Sequence, residues 1–318
     1  MGIDGAHQQA GRIRQGLQAV FAGQPELIQA LLAAIYSGGH VLLEGVPGVG
    51  KTLLAKALAR LLGAEFRRIQ FTPDLMPSDI LGTEVYQMDT RRFEFREGPI
   101  FTTILLADEI NRTPPKTQAA LLEVMEERTI SMAGQTRQLP PLFTVLATQN
   151  PIEYEGTYPL PEAQVDRFMV KLLIDYPSEA DDMIILDHYN HSRDLHREVM
   201  ERLEPVASPE EVLEARRAVQ QVTASEDILR YIQAIVRLTR QHSQVQLGAS
   251  PRGAIHLLLL SKAAAAMEGR NFVTPDDVKA MAPAVLRHRL ILTAEAQVAA
   301  RTADQVLESV LGQVEVPR

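Results

Sequence analysis

The run Gly45-Val46-Pro47-Gly48-Val49-Gly50-Lys51-Thr52 places glycines, a lysine and a hydroxyl at the spacing of a phosphate-binding P-loop. Its glycines let backbone N–H groups close around phosphate oxygens, and a helix starting at the lysine adds its positive end. Lys51 is placed to reach the β and γ oxygens of a nucleoside triphosphate, and Thr52 to ligate Mg²⁺. Ile104-Leu105-Leu106-Ala107-Asp108-Glu109 supplies the complement, an apolar run ending in two adjacent carboxylates. Asp108 is expected to hold Mg²⁺ through water, and Glu109 to orient and activate the attacking water. No Asn-Lys dipeptide occurs, so the guanine-reading NKxD motif is absent and ATP is favoured.

Three further residues stand near these motifs. Asn150 closes the run Leu142 to Thr148 and is placed to hold the attacking water or the γ-phosphate, although asparagine at a strand end is also ordinary turn chemistry. Arg252 follows Ser250-Pro251, a helix start, so a cation sits in a first turn where the helix dipole disfavours it. A bound anion would resolve that conflict, which makes Arg252 a candidate γ-phosphate sensor. Arg167 follows Pro161-Glu162-Ala163-Gln164-Val165-Asp166, where a local pair with Asp166 or Glu162 competes with a catalytic role. His188, His191 and His196 lie close in sequence, but no acidic residue completes a recognisable metal site and a solvated helix face is expected.

The strands and helices around these residues follow from apolar patterning. Val41 to Glu44 runs into the glycine-rich turn, and Lys51 to Leu62 then has helical spacing, giving strand, loop and helix. Phe66 to Phe71, Phe101 to Ala107, Leu142 to Thr148 and Met169 to Ile174 are strand-length apolar runs, so a mostly parallel sheet buried on both faces is expected. Helical segments between them, most clearly Pro115 to Glu127, indicate a doubly wound α/β fold. Glu84 to Met88 with Arg92 to Arg96, and Thr129 to Met132 with Thr136 to Leu139, read as β-hairpin inserts. After Tyr176-Pro177 helix caps dominate: Ser178 with Asp181, Ser208-Pro209 with Glu211, Ser250-Pro251, and Thr274-Pro275 with Asp277. A nucleotide-binding α/β core over 1–177 and a smaller all-helical domain over 178–318 are therefore expected.

Bulk properties narrow the classes. The 318 residues suffice for two cores, and 46% hydrophobic with 23% charged residues is a globular composition. No apolar stretch reaches bilayer-spanning length, and the first residues have no apolar signal region. The absence of cysteine excludes disulfides and thiolate metal sites and fits a cytoplasmic setting. A net charge of −8 disfavours a broad nucleic-acid footprint, the local group Arg91, Arg92 and Arg96 notwithstanding.

With those residues in place, the chain resembles the MoxR family of AAA+ ATPases over almost its full length. Gly23-Gln24, GVPGVGKT, LLADEINRTPPKTQAALLEVMEE, FTVLATQNPIEYEGTYPLPEAQVDRF and SPRGAIHLL are similar to that family's segments in order and spacing. The resemblance implies strand order 5-1-4-3-2, ATP beneath the segment holding Phe21, Gly23 and Gln24, and a helical lid displaced by the inserts. It implies Asn150 as sensor 1, Arg252 as sensor 2, and Arg167 as an arginine finger reaching a neighbour's ATP in a hexameric ring, with Arg112 a weaker candidate there. One departure is Phe21, where a smaller β-branched residue is more usual. The family's chaperone-like remodelling, or metal-cofactor insertion, with partners carrying von Willebrand factor A domains is the implied role. A DNA-acting motor, a nucleotide-gated scaffold with little turnover and a chelatase subunit are the competing readings.

Overall fold

Alternate residues of the apolar runs face opposite sides of one sheet, and each side is covered by its own apolar cluster. Val41 and Leu43 belong to one cluster with Ile104, Leu106 and Leu146. Leu42 belongs to the other with Leu105, Ala107 and Val145. Burial on both faces explains why these strands are apolar throughout instead of alternating with polar residues. The structure, a computed structural model, describes residues 1–21, 23–132, 134–151, 156–191, 200 and 203–317.

In chain order, helices α1 (Ile3–Gln18) and α2 (Pro25–Ser37) precede β1 (Val41–Gly45), α3 (Lys51–Leu61), β2 (Phe66–Gln70), α4 (Pro77–Leu81), β3 (Gly82–Gln87) and β4 (Arg92–Glu97). Strand β5 (Ile104–Asp108), α5 (Pro115–Glu127), β6 (Thr129–Met132), β7 (Gln135–Gln138), β8 (Thr144–Gln149), the short α6 (Glu162–Val165) and β9 (Val170–Ile174) follow. The sheet order is β2-β5-β8-β1-β9 with all neighbours parallel. Counted along the chain, that is the expected 5-1-4-3-2. Strands β3/β4 and β6/β7 form the two expected antiparallel hairpins. They touch, because the Arg137 guanidinium lies 4.5 Å over the Phe95 ring.

The helical lid comprises α7 (Glu179–His191), α8 (Pro209–Gln220), α9 (Glu226–Gln241), α10 (Pro251–Met267), α11 (Pro275–Leu286), α12 (Ala294–Val298) and α13 (Ala303–Gln313). The caps act as the sequence indicates: Ser208 with Glu211 and Thr274 with Asp277 form reciprocal boxes, and the Ser250 hydroxyl accepts from the Gly253 N–H. Each such cap contributes about 1 kcal/mol. A short antiparallel pair, β10 (Val245–Leu247) with β11 (Ile291–Leu292), also lies within the lid. Helices α1 and α2 share one apolar cluster with α8 and α10, which ties the start of the chain to the lid. Among the described residues no helix is long and apolar enough to cross a membrane.

At the start of β1, His40 joins three elements. Its Nδ1 accepts from the Val145 N–H at 2.9 Å, so Nε2 carries the proton and donates to the Met125 carbonyl at 3.1 Å. Burial, with the Arg128 charge next, lowers its pKa from 6.5 to about 3. Below 6.5 the unfolded chain takes up a proton that the folded chain refuses until about pH 3, so stability is lost as pH falls through that window. His40 alone is expected to cost about 2 kcal/mol between pH 7 and pH 5. Urea unfolding at both values, with His40→Gln alongside, checks this: the variant should lose less stability on acidification, and an identical loss would refute it.

Candidate functional site

At the C-terminal end of β1 the chain turns through the glycine-rich loop into α3, which begins at Lys51. Gly48 and Gly50 hold φ values of 87° and 84°, a region that L side chains seldom adopt. Gly45 has a different reason: a Cβ there would meet the Ile174 carbonyl at 2.4 Å, so only glycine lets β1 lie this close to the end of β9. Lys51 Nζ folds back over the loop and donates to the Gly45 carbonyl at 2.5 Å. Phe21 packs beside Gly50, with ring atoms 3.4 Å from where a Cβ would stand. Gln24, in the left-handed region at φ 55°, donates from Nε2 to the Asp175 carbonyl at 3.1 Å. At Gly23 an added Cβ would come within 2.7 Å of an Asp181 carboxylate oxygen. Phe21, Gly23 and Gln24 thus border both the loop and the chain entering the lid.

The two acids stand at the same edge of the sheet. Strand β8 lies between β1 and β5, so Asn150, immediately after β8 and buried, stands between the loop and the acids. Asp108 is 8% exposed. Its Oδ1 accepts from the Thr148 hydroxyl at 2.5 Å, and its Oδ2 accepts from Arg68 Nε at 2.9 Å and Nη2 at 2.7 Å. Glu109 leaves the strand in the left-handed region, at φ 56°, and its N–H donates to the Thr148 hydroxyl at 2.8 Å. Its Oε2 accepts from Gln70 Nε2 at 2.7 Å and from Arg112 Nη1 at 3.1 Å. One threonine hydroxyl therefore aligns both acids, while Arg68 and Gln70 of the edge strand β2 hold their carboxylates.

Asp108 is a buried carboxylate whose charge is balanced by the exposed Arg68 side chain, which a cation could displace. With Thr52 in the first turn of α3 and Asp108 at the next strand end but one, the donor set fits a hard divalent cation beside phosphate. Sequence reading missed Arg68, Gln70 and Thr148. Their only signal is strand register, which pairs Gln70 with Asp108 and Ala107 with Ala147.

The structure brings Arg167 and Arg252 together elsewhere. Arg167 Nε lies 3.1 Å from Glu126 Oε2, and Arg252 Nη2 lies 2.7 Å from Oε1 of the same carboxylate. Neither local partner expected for Arg167 takes it; Asp166 pairs with Arg289 at 2.6 Å. The dipole conflict at Arg252 is relieved by Glu126. Arg167 precedes β9, whose Val170 pairs with Val41 at the start of β1, whereas the glycine loop follows Gly45 at the other end. Five residues of strand separate the two edges by roughly 16 Å. Arg167, Arg252 and Glu126 enclose a polar recess with Met125 and His256 on the N-terminal edge, away from the chain's own P-loop. No group of three or more potential metal-ligating residues occurs among the described residues. The side chains of His188 and His191, and all of His196, lie outside them.

Comparison with known proteins agrees with this geometry. Residues 40–170 match the model of the ATPase family associated with various cellular activities, and residues 237–310 match the AAA lid domain. The chain is 40% identical to Chaperone MoxR1 of Mycobacterium tuberculosis over 95% of its own length and 81% of that protein. It is 33% identical to Protein MoxR of Methylorubrum extorquens, covering 89% of this chain and 88% of the relative. YeaC of Bacillus subtilis, of unassigned function, is 48% identical over 98% of this chain and 96% of its own. A crystal structure from Cytophaga hutchinsonii, described as that of a candidate ATPase, superposes with a TM-score of 0.89 at 39% identity, covering 98% of this chain and 96% of that one. Identities of 33–40% to MoxR proteins over 89–95% of the chain, with the matched ATPase and lid models, show that this chain is an ATPase belonging to the MoxR family of AAA+ proteins.

Proposed function

We propose that this ATPase hydrolyses ATP with Mg²⁺ at sites shared between neighbouring copies in a ring, and that turnover remodels partner protein complexes. The observation that carries the shared site is the placement of Arg167 and Arg252 on the sheet edge opposite the chain's own P-loop. Two guanidinium groups converging on one half-exposed carboxylate leave a net positive recess, and such exposed pairs are weak enough to exchange. A neighbour's γ-phosphate, with more charge and more acceptor oxygens than Glu126, would compete well for both. In this reading Gly45 to Thr52 cradle the phosphates, with Phe21, Gly23 and Gln24 around the base. Glu109 is the general base, Asn150 positions the attacking water, and Arg167 and Arg252 neutralise transition-state charge from the adjacent subunit. Thr52 and Asp108 would hold Mg²⁺, which would compensate phosphate charge as it develops.

Remodelling is supported by the chaperone name of one relative and by the first hairpin, which exposes its cross-strand pair Tyr86 and Phe93 and, past the paired residues, Met88. A hexameric ring, a cytoplasmic setting and a partner with a von Willebrand factor A domain complete the reading. Turnover per subunit measured against protein concentration tests it. A rise with concentration that levels off as rings form is expected, and turnover independent of concentration, in protein that sizing finds dissociated at the low end, would reject the shared site. Deleting residues 84–96 should leave that basal curve and abolish stimulation by such a partner, and stimulation equal to wild type would sink the hairpin's role.

A further inference from the structure

Arg289 is 6% exposed and lies in the lid, in the 3₁₀ turn that follows α11, yet most of its donors serve the segment carrying Arg167. Its Nε donates to Asp166 Oδ1 at 2.6 Å. Nη2 donates to the Asp166 carbonyl at 3.1 Å, the Phe168 carbonyl at 2.8 Å and His256 Nδ1 at 2.7 Å. Nη1 donates to the Met169 carbonyl at 3.2 Å and also to the Val285 carbonyl in the last turn of α11. The carbonyls on both sides of Arg167 are therefore held by one planar fork, whose geometry a lysine cannot reproduce. Two more lid groups reinforce the grip. His288 Nε2 donates to the Phe168 carbonyl at 3.2 Å, and the Ser250 hydroxyl donates to Asp166 Oδ2 at 3.2 Å. Ser250 also caps α10, the helix that carries Arg252 in its first turn.

Burying a guanidinium is expensive, and an apolar contact could join lid and sheet at lower cost. What the fork adds is a fixed relation between Arg167 and the lid. We propose that Arg289 is the positioning residue of the arginine finger, so that the reach of Arg167 toward a neighbour's ATP follows the position of the lid. The proposal rests on the reading of Arg167 as a finger. It also gives the lid a consequence in trans: any lid displacement on nucleotide binding in one subunit is passed through Asp166 and Arg289 to the site of the next. Misplacing a catalytic group by about 1 Å costs up to about 100-fold in rate, which sets the scale of the effect.

Arg289→Met, Arg289→Lys, Asp166→Asn and Arg167→Ala should be compared for kcat, KM, ATP binding and Tm in the full-length chain. Arg289→Met and Asp166→Asn are expected to lower kcat about 10- to 100-fold below their Tm with ATP affinity unchanged, and Arg289→Lys to recover part of the loss. Adding Arg289→Met to Arg167→Ala should cause no further drop, because a finger already absent cannot be misplaced. A lowered Tm with wild-type kcat, or losses that multiply in the double variant, would overturn the proposal while leaving an inactive Arg167→Ala to sustain the finger. Wild-type turnover in Arg167→Ala would remove the finger itself and this proposal with it. If Arg289→Met does not fold, Asp166→Asn, which keeps the side-chain shape, decides by the same criteria.

Discussion

Replacing Arg167 with alanine is expected to lower kcat by about 10³-fold or more while ATP still binds, as loss of a guanidinium from a phosphoryl-transfer site does. The structure predicts little accompanying loss of stability. The Arg167–Glu126 pair is partly exposed on both sides, and pairs of that kind contribute about 1 kcal/mol or less. Arg252 also remains to hold Glu126. A defect in rate without a defect in Tm would therefore place Arg167 in the chemistry. Mixing supplies the sharper version. Arg167→Ala subunits keep the base but lack the finger, and Glu109→Gln subunits keep the finger but lack the base. Each is expected to be nearly inactive alone, and their mixture to regain turnover wherever a Glu109→Gln subunit presents its finger to an Arg167→Ala neighbour. Activity measured over a titration of one into the other checks this, and a mixture no better than its parts would confine Arg167 to its own subunit.

The same residue shows where sequence reading stops. The P-loop is legible because its eight residues are contiguous and their chemistry depends on local conformation, and the acid pair because it ends an unmistakably buried strand. Strands β1, β5 and β8 are legible because burial on both faces leaves runs that few other structures tolerate. The partners of these residues are not legible. Arg68 reaches Asp108 across 40 positions, Arg252 reaches Glu126 across 126, and Arg289 reaches Asp166 across 123. Each distance is a product of sheet order and helix packing, which periodicity alone does not encode. Arg167 beside Asp166 and Glu162 invited a local pairing, but Asp166 is taken by the buried Arg289 and Arg167 turns to α5. The β10–β11 pair has three residues facing two, too short for a period-two pattern to register. Helix α1 is different: Ala6, Ala10, Ile13 and Leu17 have helical spacing and bury against the lid, so its signal was present although no motif drew attention to it.

Glu109→Gln is expected to reduce turnover by about 10²- to 10⁴-fold, the range for removing a positioned general base, while preserving nucleotide binding and ring assembly. Glutamine suits the test for a local reason. Glu109 occupies the left-handed region with its N–H fixed to Thr148, so a substitution must keep an unbranched, flexible side chain to avoid disturbing the strand end. The amide oxygen can still accept from Gln70 or Arg112, leaving the surroundings of Asp108 intact. Stability should then change little, and the variant should bind ATP where Lys51→Ala, at the lysine expected to reach the phosphates, binds it poorly. Single-turnover hydrolysis with equilibrium binding of a fluorescent ATP analogue separates the two steps. Tight binding with lost turnover places Glu109 at the chemical step. Equal and very slow hydrolysis by wild type and Glu109→Gln would instead mean that the acid pair serves cation binding alone and that the protein works as a nucleotide-gated scaffold, with assembly and not turnover as the output of the site.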